Sequence, residues 1–153
     1  MACRGSATSE GHAMAKTRAN SKTQTGGCLC GAVRYRIEGK PHHVGNCHCT
    51  MCQKTTGSLF GSFAGFDADH VRFTKGKPKD YRSSKWAARG FCPKCGSTLT
   101  YRLVADATQI WLSLGTMDNA GAFTPDQHIF TTTMVPSLRR VKDGLPRYRA
   151  FPG

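Results

Sequence analysis

Cys47-His48-Cys49-Thr50-Met51-Cys52 brings three sulfurs and an imidazole into six consecutive residues. Two pairs flank it, Cys28-Leu29-Cys30 before and Cys92-Pro93-Lys94-Cys95 after, so seven of the eight cysteines fall into three tight groups. Residues two apart on an extended chain project to the same side, which lets Cys28 and Cys30 face one ion without a turn. Cys92 and Cys95 need a turn. Pro93 fixes φ early in it, and Gly96 can take the positive φ that aims backbone N–H groups at sulfur. The two pairs together make a four-thiolate set, the closed coordination of a structural zinc.

Cys47, Cys49 and Cys52 then form a second site with three protein ligands. Three ligands with a fourth position for water or substrate is the arrangement of a catalytic zinc. Spacing alone equally admits closure by His42, His43, His48 or His128, which would make both ions structural. Disulfides fit less well, because no hydrophobic signal segment opens the sequence and cytosolic thiols stay reduced. The expectation is therefore a cytoplasmic protein holding two zinc ions. A thioredoxin-type role for Cys92 and Cys95 lacks its βαβ context. Cys3, in a polar stretch, reads as a bystander.

The chain has 153 residues, 39% of them hydrophobic, and no apolar run near membrane-spanning length. These values suit one small domain that does not span a membrane, with metal supplementing a modest core. The formal charge is +13. Two dications bound by seven thiolates would reduce it to about +10, still basic enough to attract anions. The basic residues are scattered, with no helix-length stripe and no RNA-binding aromatic motif, which argues against specific nucleic-acid recognition.

Residues 1–26 are rich in Ser, Thr, Ala and Lys without apolar periodicity, and read as a disordered tail. From residue 27 the period becomes two: Val33, Tyr35 and Ile37 alternate with Arg34, Arg36 and Glu38 as a half-buried strand. Further strands are expected over 42–49, 59–66, 71–75, from Tyr81, over 98–103 and 109–114, and over the β-branched stretch 129–135. Trp111 alternates with Ile110, Leu112 and Leu114, so it faces the other way, where it can cover a second layer or help wall a pocket. Helical periodicity is confined to a turn or two near 138–142. The pattern is all-β, with short strands pinned by metal at their loop ends.

These residues resemble the glutathione-dependent formaldehyde-activating enzymes, the family that includes centromere protein V. The resemblance runs from about Gly27 to Tyr148. It is carried by Gly27-Cys28-Leu29-Cys30-Gly31-Ala32-Val33, by Cys47-His48-Cys49 with Cys52, and by Arg89-Gly90-Phe91-Cys92-Pro93-Lys94-Cys95-Gly96. Gly115-Thr116-Met117-Asp118, Pro125 with His128-Ile129, and Gly144-Leu145-Pro146 follow in the family's order. It implies a β-tent of two antiparallel sheets around metal, as one domain over 27–150.

It also implies a structural zinc on Cys28, Cys30, Cys92 and Cys95 and a catalytic zinc on Cys47, Cys49 and Cys52. The activity implied is condensation of glutathione with formaldehyde to S-hydroxymethylglutathione, a carbon–sulfur lyase reaction read backwards, serving detoxification. Alternatives are the same chemistry on another thiol adduct or electrophile, and a basic zinc module binding an acidic partner. For proton movement between sulfur and hydroxyl, His128 and Asp118 are the candidates. Arg34, Arg36, Arg89 and Arg102 could meet the carboxylates of glutathione. Where the family has Pro-Trp, this chain has Pro136-Ser137, which would reshape the substrate pocket.

Overall fold

The alternation of residues 33–37 has its physical cause in a sheet packed on one face. In the computed structural model, which describes residues 23–152, Val33, Tyr35 and Ile37 are fully buried. Arg34–Ile37 is strand β2, antiparallel to β1 (Gln24–Gly27) on one side and to β5 (Val71–Lys75) on the other. The sheet therefore starts before residue 27. The remainder of the expected tail, residues 1–22 with Cys3, lies outside the described residues.

A second, seven-stranded sheet holds β3 (His43–Cys47), β4 (Gly61–Asp67), β6 (Lys79–Arg82), β7 (Ala87–Phe91), β8 (Thr98–Leu103), β9 (Gln109–Ser113) and β10 (Gln127–Ile129). Its spatial order is β10-β3-β4-β9-β8-β7-β6. All neighbours run antiparallel except β10, which lies parallel to β3. The all-β reading with two sheets holds, with that one parallel edge pair as its departure.

One face of the large sheet packs on the small one. Tyr35 and Ile37 meet Ala64, Phe66, Leu99 and Leu112 in the main core. The opposite face carries a second cluster of Cys47, Cys52, Phe63 and Ile129, with Trp111 packed against it. Period two explains the division: Phe66 and Leu112 point into the first cluster, while Phe63 and Trp111 point into the second. Phe66 is wholly buried, so Phe66→Ala is expected to cost about 3–5 kcal/mol. Urea unfolding of the metal-loaded protein, followed by circular dichroism, measures it.

Two local expectations are corrected. Residues 129–135 do not extend as a strand: Phe130 takes a left-handed φ of 56°, and a 3₁₀ turn over Thr131–Thr133 follows. The Thr133 hydroxyl donates to the carbonyls of His48 and Phe130, so its β-branched side chain serves a turn instead of a pleat. The second correction is a helix, α1 (Thr50–Thr56), which starts directly after Cys49 and carries Cys52 in its first turn. Its three threonines are poor helix formers, and those at 55 and 56 bond back to the carbonyls of Met51 and Cys52. The ends hold it. Cys49 sulfur caps the N-terminus by accepting from the Cys52 N–H, and Gly57, at φ 64°, closes the other end in the left-handed form. A final short helix, α2 (Pro136–Arg139), begins at Pro136, where proline is tolerated.

Candidate metal centres

The first sulfur set joins the two sheets. Cys28 and Cys30 follow β1, and Cys92 and Cys95 sit in the β7–β8 turn, where the Gly96 N–H bonds the Cys92 carbonyl and Gly96 takes a φ of 75°. All four sulfurs lie within 4.8 Å of one another. Cys28 Sγ is 3.6 Å from Cys30 Sγ, and Cys30 Sγ is 3.8 Å from Cys92 Sγ. A tetrahedron with metal–sulfur bonds of about 2.3 Å has edges of about 3.8 Å, whereas a disulfide needs about 2.05 Å. The spacing fits an ion and excludes a bond. Supporting donors are in place: the Val33 N–H reaches Cys28 Sγ at 3.2 Å, and the Ser97 hydroxyl lies 3.2 Å from Cys95 Sγ. Hydrogen bonding by Ser97 brings the Cys95 thiol down to about 5.

The second set is Cys47 at the end of β3, Cys49 at the cap of α1 and Cys52 in its first turn. Their sulfurs also lie within 4.8 Å of one another, and no histidine or carboxylate among the described residues joins the group. Hydrogen bonding to Cys47 and then to Cys52 holds Cys49 down at about 2, while contact with Cys49 pushes Cys47 up. The three cysteines open onto a cavity of about 190 Å³. Its wall is apolar and aromatic, with Phe63, Tyr101, Trp111, Ile129, Phe130 and Phe151. A third group, Asp67, Asp69 and His70, lies at the surface with Asp67 already paired to His42.

Arg89, one of four arginines considered for substrate, is buried beside this centre. It lies on β7 with Nη2 donating to Cys52 Sγ at 3.6 Å, and its guanidinium stands over the Tyr101 ring. Nε and Nη1 have no hydrogen-bond partner. A buried cation is costly unless an opposite charge faces it. Three thiolates around a dication would carry one net negative charge, which the Arg89 guanidinium is placed to offset. Arg89→Met is expected to weaken metal binding at the three-cysteine site by about 10–100-fold. Competition with a chromogenic chelator reads this, with the four-cysteine site as internal control.

Arg34, Arg36 and Arg102 instead pair with Asp118, Glu38 and Asp80. Asp118 is placed at the β1–β2 hairpin, where it accepts from Arg34 and from the Thr25 hydroxyl; the Arg34 bond holds its carboxyl below the usual range. His128 is on β10, but its neighbours Gln127 and Ile129 are the ones that line the cavity. The His128 ring points to the other side, with Nδ1 2.7 Å from Nε2 of the buried His48 and Nε2 2.7 Å from Asp143. The carboxylate can only accept, so His128 Nε2–H donates to it. In the neutral pair His48 Nε2–H then donates to His128, which leaves His48 Nδ1 as a buried lone pair without a partner.

Burial, and then the neighbouring His128, pulls His48 down to about 4, and the bond from His128 brings Asp143 down to about 2. The His48 carbonyl accepts from Gln53 and Thr133, and its N–H donates to Ile129. This array fixes the backbone between Cys47 and Cys49. Asp143 carries no motif signal in the sequence and joins from 15 residues away across a loop. Phe130 and Phe151, whose rings meet edge to face at 5.0 Å, were equally unmarked as wall residues.

Among solved structures, a crystal structure of a Rhodobacter sphaeroides protein matches with a TM-score of 0.54 at 17% identity, covering 80% of this chain and 98% of that one. This supports the fold. An uncharacterized lyase of Schizosaccharomyces pombe is 33% identical over 76 residues, 50% of this chain and 55% of that protein. A Halomonas elongata protein provisionally named a glutathione-dependent formaldehyde-activating enzyme is 33% identical over 84 residues, 48% of this chain and 52% of the other. The matches span about half the length of these two relatives. The family model described as glutathione-dependent formaldehyde-activating enzyme matches residues 23–133, a stretch containing all seven paired and clustered cysteines. By that match the chain belongs to the glutathione-dependent formaldehyde-activating enzyme family.

Proposed function

We propose that this protein is a zinc-dependent carbon–sulfur lyase that joins glutathione to an aldehyde, formaldehyde in the family's reaction, and catalyses the reverse cleavage. The observation that carries this reading is the contrast between two sulfur sets: four cysteines complete one, while three cysteines of the other line a cavity. Thiolate-rich sets of four and three suit zinc, as a structural ion and as a site that admits a fourth ligand. Zinc bound at the second set would stabilise an incoming thiolate at neutral pH and polarise a carbonyl.

The protein's own groups supply the rest. Cys47, Cys49 and Cys52 hold the ion, and Arg89 offsets their charge from behind. The aromatic wall narrows the approach of the reacting carbon. His128 is proposed as a positioning residue, since its ring steadies His48 between two ligands instead of facing the cavity. Asp118 is proposed to lock the β1–β2 hairpin beneath the first zinc through Arg34. Of the wall side chains, His43 is the imidazole that can exchange a proton with a nascent hydroxyl. Seven reduced thiols also suit a reducing compartment such as the cytoplasm, and no helix among the described residues is long and apolar enough to cross a membrane.

The test is exchange spectroscopy by proton NMR on glutathione and formaldehyde at equilibrium with S-hydroxymethylglutathione. Zinc-loaded protein should accelerate their interconversion well beyond the spontaneous rate. No acceleration by protein with both sites filled overturns the proposal.

A further inference from the structure

We propose that the preferred aldehyde of this enzyme carries a ring-sized apolar group, so that formaldehyde occupies only a corner of the site. The inference rests on the lyase reading above and names its substrate class. The cavity over Cys47, Cys49 and Cys52 measures about 190 Å³. A dry apolar cavity of about 150 Å³ accepts benzene, and a water molecule takes about 30 Å³. Formaldehyde, close to water in size, leaves most of this volume unfilled.

The chemistry of the wall points the same way. Its residues include no lysine, arginine, aspartate or glutamate, and Gln127 and His43 are its main polar side chains beyond the cysteines and the Tyr101 hydroxyl. Glutathione carries two carboxylates and an ammonium group, which are costly to take from water without opposite charges. Its arms therefore stay at the mouth, and only the sulfur and its methylene reach the three cysteines. What remains to fill the aromatic interior is the substituent on the other side of the reacting carbon. Phe63 and Ile129 are buried in the wall, Trp111 packs against them, and Phe130 with Phe151 forms the lip.

The step balances without redox. The thiol sulfur adds to the aldehyde carbon, the carbon–sulfur bond forms, the π pair of the carbonyl moves to oxygen, and the proton lost by sulfur ends on that oxygen. The product is a hemithioacetal, and cleavage runs the same steps backwards.

Trp86 is exposed and Trp111 is the other of the two tryptophans, so Trp86→Phe makes emission report on the cavity alone. In zinc-loaded protein of this background, 2-phenylethanol should perturb Trp111 emission at concentrations at least about tenfold below those needed for ethanol. Phe151→Ala, at a half-exposed position, should weaken 2-phenylethanol severalfold and leave ethanol unchanged. Exchange spectroscopy should show the glutathione adduct of phenylacetaldehyde accelerated over its spontaneous rate at least about tenfold more than that of formaldehyde.

Formaldehyde acceleration equal to or above that of phenylacetaldehyde, or 2-phenylethanol binding no tighter than ethanol, overturns the assignment while the lyase reading stands. No acceleration of either adduct by fully loaded protein overturns the lyase reading, and the aldehyde assignment with it.

Discussion

Replacing Cys92 by serine is expected to unfold the protein. Cys92 is fully buried at the end of β7, and its sulfur lies 3.8 Å from Cys30, which arrives from the other sheet. The β1–β2 and β7–β8 connections are therefore clamped to each other through these sulfurs. A structural zinc of this type is worth about 10–16 kcal/mol in small peptides, comparable to the whole stability of about 5–15 kcal/mol typical of a domain. Serine is a poor ligand for zinc and leaves a hydroxyl in an apolar pocket. Circular dichroism of the variant, and of wild type treated with a strong chelator, should show loss of the cooperative unfolding transition in both. A native-like melting curve in either would show that packing alone suffices.

Cys49→Ser is expected to separate catalysis from folding. Cys49 does two things in the structure: it contributes a sulfur to the second set, and it caps α1 by accepting the Cys52 N–H at 3.2 Å. Serine is among the best N-capping residues, so the helix keeps its cap. The thiolate is lost. The variant should fold, melt within a few degrees of wild type, retain the first ion, lose the second and lose accelerated exchange of the glutathione adduct, a fall of about a hundredfold or more if substrate binds at the ion. Retained turnover would move the chemistry away from the three cysteines.

The parts of the molecule legible in the sequence are those governed by local periodicity and ligand spacing. Val33, Tyr35 and Ile37 follow the pleat, Trp111 turns away from Ile110 and Leu112, and the cysteine groups assemble as four and three because short spacings leave little freedom. What escaped was set by individual caps and by distant partners. Helix α1 has weak intrinsic propensity and is fixed by a sulfur cap and a left-handed glycine. The stretch after Ile129 has strand-forming residues, yet Thr133 is drawn to the His48 carbonyl, a contact 85 residues away in sequence. The burial of Arg89 against Cys52 and the His48–His128–Asp143 array likewise depend on chain segments that composition does not connect. The Pro136-Ser137 departure falls at the start of α2, outside the cavity wall, while Phe151 supplies an aromatic ring there from the chain's far end.

The decisive measurement is the zinc content of wild type and of Cys49→Ser, each with and without a glutathione titration followed by calorimetry. The expected result is two ions in wild type and one in the variant, with glutathione binding present in the first and absent from the second. Two tightly held ions in both proteins, or a wild type that takes up two ions and gives no response to glutathione, would contradict a thiol-accepting three-cysteine centre.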